Sequence, residues 1–267
     1  MSADPVALES IAPARRNVAV RSRFYLGMTL TMATIVLVGF MPTLFGRALF
    51  AVPRMPGYLY LHGSVLTAWF ALLVTQATLA GSGRLGTHRK LGWAALAFVV
   101  LVPVMGMAAQ LAMPGRIRAA GADLAPFIEL IQTIFWLNAF AAAQFIGFIG
   151  AGLLLRKRSE SHKRLMLFGS IAIILPAAAR FARWRVFGNT AIDLSQPSSA
   201  GTDVVFALGC MALLVGAIIV HDLVSQRRLH RVTIVGTAVL FGMTLLVPLL
   251  GNNDGGKAIV WALSGGK

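Results

Sequence analysis

The sequence predicts an all-α polytopic membrane protein: a bundle of seven transmembrane helices, built as one lead helix and three helical hairpins, with the N-terminus in the cytoplasm. Three observations predict it. Hydrophobic residues make up 57% of the 267-residue chain and charged residues only 12%, against about 25% charged in a soluble domain. The mean hydropathy is +0.77, and the apolar residues fall in runs long enough to cross about 30 Å of hydrocarbon. The charges sit in short turns between those runs.

Taken in order, the expected spans are residues 24–45, 59–80, 91–113, 124–155, 165–182, 202–224 and 232–250. Each must be a helix, because a backbone in lipid has to satisfy its own hydrogen bonds. The parts of the chain are then a cytoplasmic tail over 1–23, a transmembrane domain over 24–250 and a short tail over 251–267. Residues 1–23 are polar and lack the apolar core and cleavage site of a signal peptide. An eighth apolar stretch, 258–263, is too short to span and belongs at the surface.

The 24 basic and 9 acidic residues give a net charge of +15. The basic residues follow the positive-inside rule instead of forming a nucleic-acid surface. Fifteen of the 24 fall in alternate loops, at Arg15–Arg23, Arg84–Lys90, Arg156–Arg164 and Arg227–Arg231. These loops are expected to face the cytoplasm of a bacterial inner membrane and to meet anionic lipid head groups. Arg180, Arg183 and Arg185 cluster on the other side. The single cysteine, Cys210, excludes an intrachain disulfide and a cysteine metal cage.

Pro103 and Pro176 lie inside spans three and five and are expected to kink them. Ala139, Ala143, Gly147 and Ala151 recur every four residues in span four. Such a stripe lets a second helix approach closely. It is expected to pack within the bundle, with a homo-oligomer contact as the alternative.

The turn GRLGTHRKLGW at Gly83–Trp93 resembles KRSESHKRLML at Lys157–Leu167. A shift of 74 positions aligns His88 with His162, Arg89 with Lys163, Lys90 with Arg164 and Leu91 with Leu165. A third, weaker copy falls at His230-Arg231. The pattern predicts an internal repeat about an axis along the membrane normal. Gly81-Ser82-Gly83-Arg84-Leu85-Gly86 fits a dinucleotide fingerprint by letter, but it follows a membrane helix instead of a strand and is a turn. No zinc-protease, phosphate-loop or nucleophile-elbow motif is present, so no catalytic residue is assigned. The last span holds no lysine for a retinal Schiff base.

The five histidines carry most of the functional information. Imidazole ligates haem iron and copper. His88, His162 and His221 are candidate axial ligands at one membrane face, and His62 stands alone at the other, near Met105 and Met107. Without a metal, the inner histidines serve as lipid-facing members of basic clusters. His62, Trp69 and Gln76 share one face of span two, while Glu129, Gln132 and Trp136 share a face of span four. An ion pair between Glu129 and Arg180 beside His62 is expected to line a polar cavity for a quinone, an ion or a small polar ligand.

The motifs His62-Gly63 to Trp69, Gln76, His88-Arg89-Lys90-Leu91-Gly92-Trp93 and His162-Lys163-Arg164-Leu165-Met166 together resemble an uncharacterised family of bacterial integral membrane proteins. That resemblance spans about 59–183 and implies no activity. A looser similarity to transmembrane b-type cytochromes implies axial histidines, although here they gather at one face. Two functions follow as expectations. One is a haem b- or quinone-linked membrane redox protein with a redox partner. The other is a cofactor-free transporter, lipid-interacting protein or accessory subunit.

Overall fold

In a computed structural model the chain is an all-α bundle, described over residues 23–50, 54–183, 200–251 and 253–263. All but the last residue of the expected tail over 1–23, and Arg185, lie outside the described residues. Among the described residues five helices are long and apolar enough to cross a membrane, at Gly57–Gly81, Ala94–Ala119, Ala125–Leu154, Thr202–Gln226 and Arg231–Gly251. A bent pair, Ser159–Ala172 with Leu175–Phe181, makes a sixth if read as one span.

The first expected span is shorter than predicted. Helix α1 (Arg23–Gly39) has 17 residues, or about 25 Å at a rise of 1.5 Å per residue. It gives way to a π-helical turn, Met41–Phe45, with Pro42 near its start, and then to the four-residue α2, Arg47–Phe50. Pro42 has no N–H to continue the helical ladder. Gly39 is the point of closest approach, since a Cβ there would collide with the Ala177 carbonyl.

Helix α3 (Gly57–Gly81) is followed by α4 (Leu85–Gly92), a separate short helix formed by the basic turn. The third span therefore begins later than expected, as α5 (Ala94–Leu111), and continues through α6 (Met113–Ala119). Pro103 lies inside α5, which runs through it unbroken. Helix α7 (Ile128–Leu154) is the central element, packed on α5 and α8 (Ser159–Ala172). The chain breaks after Ala172 and resumes as α9 (Leu175–Phe181), bent by 54° with Pro176 in its first turn. The kink expected at Pro176 is thus present. Helices α10 (Ala200–Gln226), α11 (Arg231–Leu245), α12 (Val247–Gly251) and α13 (Asp254–Leu263) complete the chain.

The main core joins Met32, Trp69, Phe145, Phe148, Phe168, Ile171 and Ile218. Large apolar side chains also stand exposed, Leu154 at 81%, Val224 at 79% and Leu213 at 76%. Helices apolar all round fit a bundle whose outer surface meets lipid. The small-residue stripe of α7 packs only at its ends, where Ala139 and Ala151 lie half-buried against core residues. Ala143 and Gly147 are exposed, and nothing stands within 4 Å of a Cβ built on Gly147. The bundle buries the opposite side of α7, through Gln144, Phe145, Phe148 and Ile149, where larger side chains give more dispersion contact.

Contacts gather three turns and the start of α1 at one end of the bundle. His88 meets His162, Arg164 meets Asp222, and Lys163 lies over the ring of Tyr25. His62 lies near the opposite end of α3. A smaller cluster of Ile117, Leu124, Phe127, Ile131, Phe135 and Val260 holds α6, α7 and α13 together.

Candidate functional site

His88 and His162 are held alike. Each sits early in a helix that follows a turn, and each directs Nδ1 back to a carbonyl near the end of the preceding long helix. His88 Nδ1 lies 3.2 Å from the Gln76 carbonyl, and His162 Nδ1 lies 2.8 Å from that of Gly152. A carbonyl only accepts, so each Nδ1 carries the proton and each Nε2 keeps its lone pair. The two rings come together with centroids 6.3 Å apart and planes at 88°. Both are half-buried.

The other candidate ligands go elsewhere. His221 stacks flat on Phe24, at 3.8 Å and 2°, and meets the edge of Tyr25. The expected pairing of His221 with His88 is replaced by an aromatic contact with α1, because Phe24 offers the imidazole an apolar face. His62 meets the Met105 backbone, and its Nδ1 is buried with no hydrogen-bond partner.

The expected polar cavity does not assemble. His62, Trp69 and Gln76 lie along one stripe, but 14 residues of helix spread them over about 21 Å. Trp69 is a core residue, 1% exposed, whose indole N–H donates to the Ser170 hydroxyl at 3.2 Å. Gln76 belongs to the His88 end. Glu129 is exposed and makes no ion pair with Arg180. The Arg180 guanidinium instead donates to the Pro176 carbonyl at 3.1 Å and lies 4.7 Å from the Phe40 ring centroid. A cation over an aromatic face at this depth is stabilised by the ring quadrupole. Gln132 is buried and lines a cavity of about 20 Å³ with Pro114, Leu124 and Val260. A second cavity of about 20 Å³ lies between Asn138, Gln144, Pro176 and Thr244. Each has room for roughly one water, far short of the several hundred Å³ that a quinone or porphyrin needs.

The most elaborate polar cluster was missed in the sequence. Arg164 and Asp222 are both fully buried and ion-paired, with Arg164 Nε donating to Asp222 Oδ1 at 3.0 Å. Arg164 also donates to Glu160, at 2.8 Å to the carboxylate and 2.7 Å to its carbonyl. Asp222 Oδ2 accepts from the Thr233 hydroxyl at 2.5 Å and the His230 backbone N–H at 3.0 Å. One carboxylate thereby ties α8, α10 and the start of α11. The helical spacing of Glu160 and Arg164 was readable; their partner 58 residues away was not. Within the bundle, Asn138 donates to the Gln110 side chain at 3.2 Å and Gln144 to the Leu240 carbonyl at 3.4 Å. Their presence in apolar helices was the overlooked signal.

Among the described residues no three His, Cys, Asp or Glu side chains come together as a metal site. A metal held at His88 and His162 would therefore have two protein ligands from this set. Haem iron, which brings four nitrogens of its own, takes two such ligands, and so does linear copper(I). Two imidazoles with nitrogens about 2.0–2.1 Å from a shared metal have ring centroids roughly 6 Å apart, and the Nδ1-to-carbonyl bond is the usual outer support of a metal-bound histidine. The donor set fits. Compared with known proteins, the chain matches no family model, no curated protein and no solved structure. The resemblance of its motifs to an uncharacterised membrane family and to b-type cytochromes gains no support there, and what stands is an all-α, multi-pass helical bundle.

Proposed function

We propose that this is a bacterial inner-membrane redox protein that holds one haem between His88 and His162 at its cytoplasmic face. The observation that carries the proposal is the paired geometry: two imidazoles at 6.3 Å, each with Nδ1 tied to a carbonyl. In the same reading the bundle has seven spans, α1 being completed by the turn and α2, and the repeated basic turns are the cytoplasmic ends of related hairpins. The haem iron would supply one-electron chemistry. The chain's own part is to present two imidazoles whose Nδ1 atoms are tied to carbonyls, beside Arg89, Lys90 and Lys163, whose charges suit anionic substituents or an acidic redox partner.

Purified full-length protein from haem-sufficient cells is expected to show a Soret band. The band should disappear in His88→Ala/His162→Ala and persist in His221→Ala. A colourless protein that retains copper in proportion to His88 and His162 moves the assignment to copper. A protein with neither is left with the second reading, a cofactor-free transporter, lipid-interacting protein or accessory subunit. In that case the two histidines only latch their turns to the preceding helices.

A further inference from the structure

Two interruptions of the helical ladder open onto one cavity. The cavity between α7, the α8–α9 bend, α10 and α11 has Asn138, Gln144, Ala172, Met211 and Thr244 in its wall. Ala172 stands four residues before Pro176, and Thr244 four residues before Pro248. A helical carbonyl accepts from the N–H four residues on, and proline has none, so the Ala172 and Thr244 carbonyls both lose their helical donor. Helix α8 ends at Ala172, and α11 ends at Leu245, one residue past Thr244. Irregular backbone inside a membrane bundle persists where it is buried in protein or lines a cavity. Interrupted helices at such places present carbonyls to bound cations.

The polar side chains at this cavity leave the same kind of atom. Asn138 donates to the Gln110 side chain at 3.2 Å and to the Ile134 carbonyl at 3.0 Å, which occupies both of its N–H bonds. Gln144 is only 5% exposed and donates to the Leu240 carbonyl at 3.4 Å, while among the described residues nothing donates to its Oε1. The Thr244 hydroxyl spends its proton on the same Leu240 carbonyl, at 2.9 Å, and keeps its lone pairs. The Pro176 carbonyl is already taken by Arg180. Among the described residues the wall holds no charged side chain. What is left is a set of neutral oxygens, and hard oxygen ligands suit a hard cation. A divalent ion draws on carboxylates, and the Arg180 charge one turn along α9 opposes two charges more than one. The volume of about 20 Å³ admits one water-sized particle, as a dehydrated sodium or potassium ion is.

We propose that this cavity binds one monovalent cation, of the sodium or potassium type. Its ligands are drawn from the Asn138, Gln144 and Thr244 side-chain oxygens and the carbonyls of Ala172 and Thr244. The ion ties α7, the α8–α9 bend and α11 together, so its binding stabilises the folded bundle. The proposal does not rest on the redox reading, since it uses neither His88 nor His162.

The test unfolds the full-length protein thermally in detergent, in sodium, potassium or choline chloride at equal ionic strength. Sodium or potassium should raise the midpoint above that in choline, and the rise should follow the saturation of one site. Gln144→Leu and Thr244→Val should each weaken the apparent affinity by about tenfold or more, the usual loss for a contact with a charged group. Thr244→Ser keeps the hydroxyl and should retain the affinity. Thr75→Val removes an exposed hydroxyl on α3 and should leave it unchanged. If Gln144→Leu does not fold, the two Thr244 variants decide. The proposal is overturned if the three salts give one midpoint, if Thr244→Val responds like the wild type, or if Thr75→Val loses as much as Thr244→Val. A larger rise in calcium chloride at the same ionic strength would overturn it as well.

Discussion

Arg164 shows how one side chain can set the geometry of a whole helix end. In the sequence it is one of several cations in a basic turn, indistinguishable from Lys163 beside it. In the structure Lys163 reaches Glu160 at 2.9 Å and stays partly exposed, while Arg164 is fully buried against Asp222. One step along a helix turns a side chain by about 100°, so two neighbouring cations meet different surroundings. Removing one partner of a buried ion pair leaves the other charge uncompensated, at a cost of about 3–5 kcal/mol. Asp222→Asn should therefore lower the thermal midpoint steeply. The double change Arg164→Met/Asp222→Leu removes both charges and should recover part of that loss. Recovery should stay incomplete, because the Thr233 hydroxyl and the His230 N–H lose their acceptor. Thermal unfolding of the wild type and the two variants in one detergent checks this; equal losses for the single and double variants would reject the ion-pair account.

The helix ends separate what was readable in the sequence from what was not. Apolar length located the long helices, because a backbone in lipid has little choice. Proline marked where a helix could bend, since a missing N–H has a fixed position, but of the two expected kinks only Pro176 lies at a bend, while α5 runs on through Pro103. The independent helix of the basic turn was not readable, and neither was the close approach of Gly39 to the Ala177 carbonyl on a distant segment. His230 gives this scale its prediction. It caps α11, its Nδ1 accepting the Val232 N–H at 3.1 Å, which requires a neutral ring. Burial, helped by Arg164, holds its pKa below the usual histidine value, against the opposing pull of Asp222 and Glu160. A histidine depressed in the folded state binds its proton more readily when unfolded. Its contribution is therefore complete above about pH 6.5 and declines as pH falls through the folded value. Asparagine caps equally well and does not titrate. His230→Asn should match the wild type at neutral pH and lose less stability on acidification, as read from thermal midpoints across that range. Parallel curves would mean that the cap does not titrate.

At the scale of the molecule, the two ends differ in charge and in chemistry. One end collects Arg84, Arg89, Lys90, Arg156, Lys157, Arg158, Lys163, Arg227 and Arg228 around the histidine pair and the Arg164–Asp222 lock. The other holds fewer cations, Arg116 and Arg180 among them. The membrane-bundle class was legible because composition alone constrains it. The pairing of His88 with His162 was partly legible, because the same turn is written twice. The expected Glu129–Arg180 pair was misread, since the two residues come from distant segments and Glu129 is exposed. Translocation of loops is opposed by lysine and arginine near the span ends, so the richer end should stay in the cytoplasm. Accessibility of single cysteines tests this. Cys210→Ala removes the native thiol, and Ser82→Cys or Ala120→Cys then marks one exposed position at each end. In intact spheroplasts a membrane-impermeant maleimide should modify the residue-120 thiol and spare the residue-82 thiol until the membrane is opened. The reverse pattern would put the histidine pair outside, away from cytoplasmic electron donors, and would remove the redox reading together with the orientation.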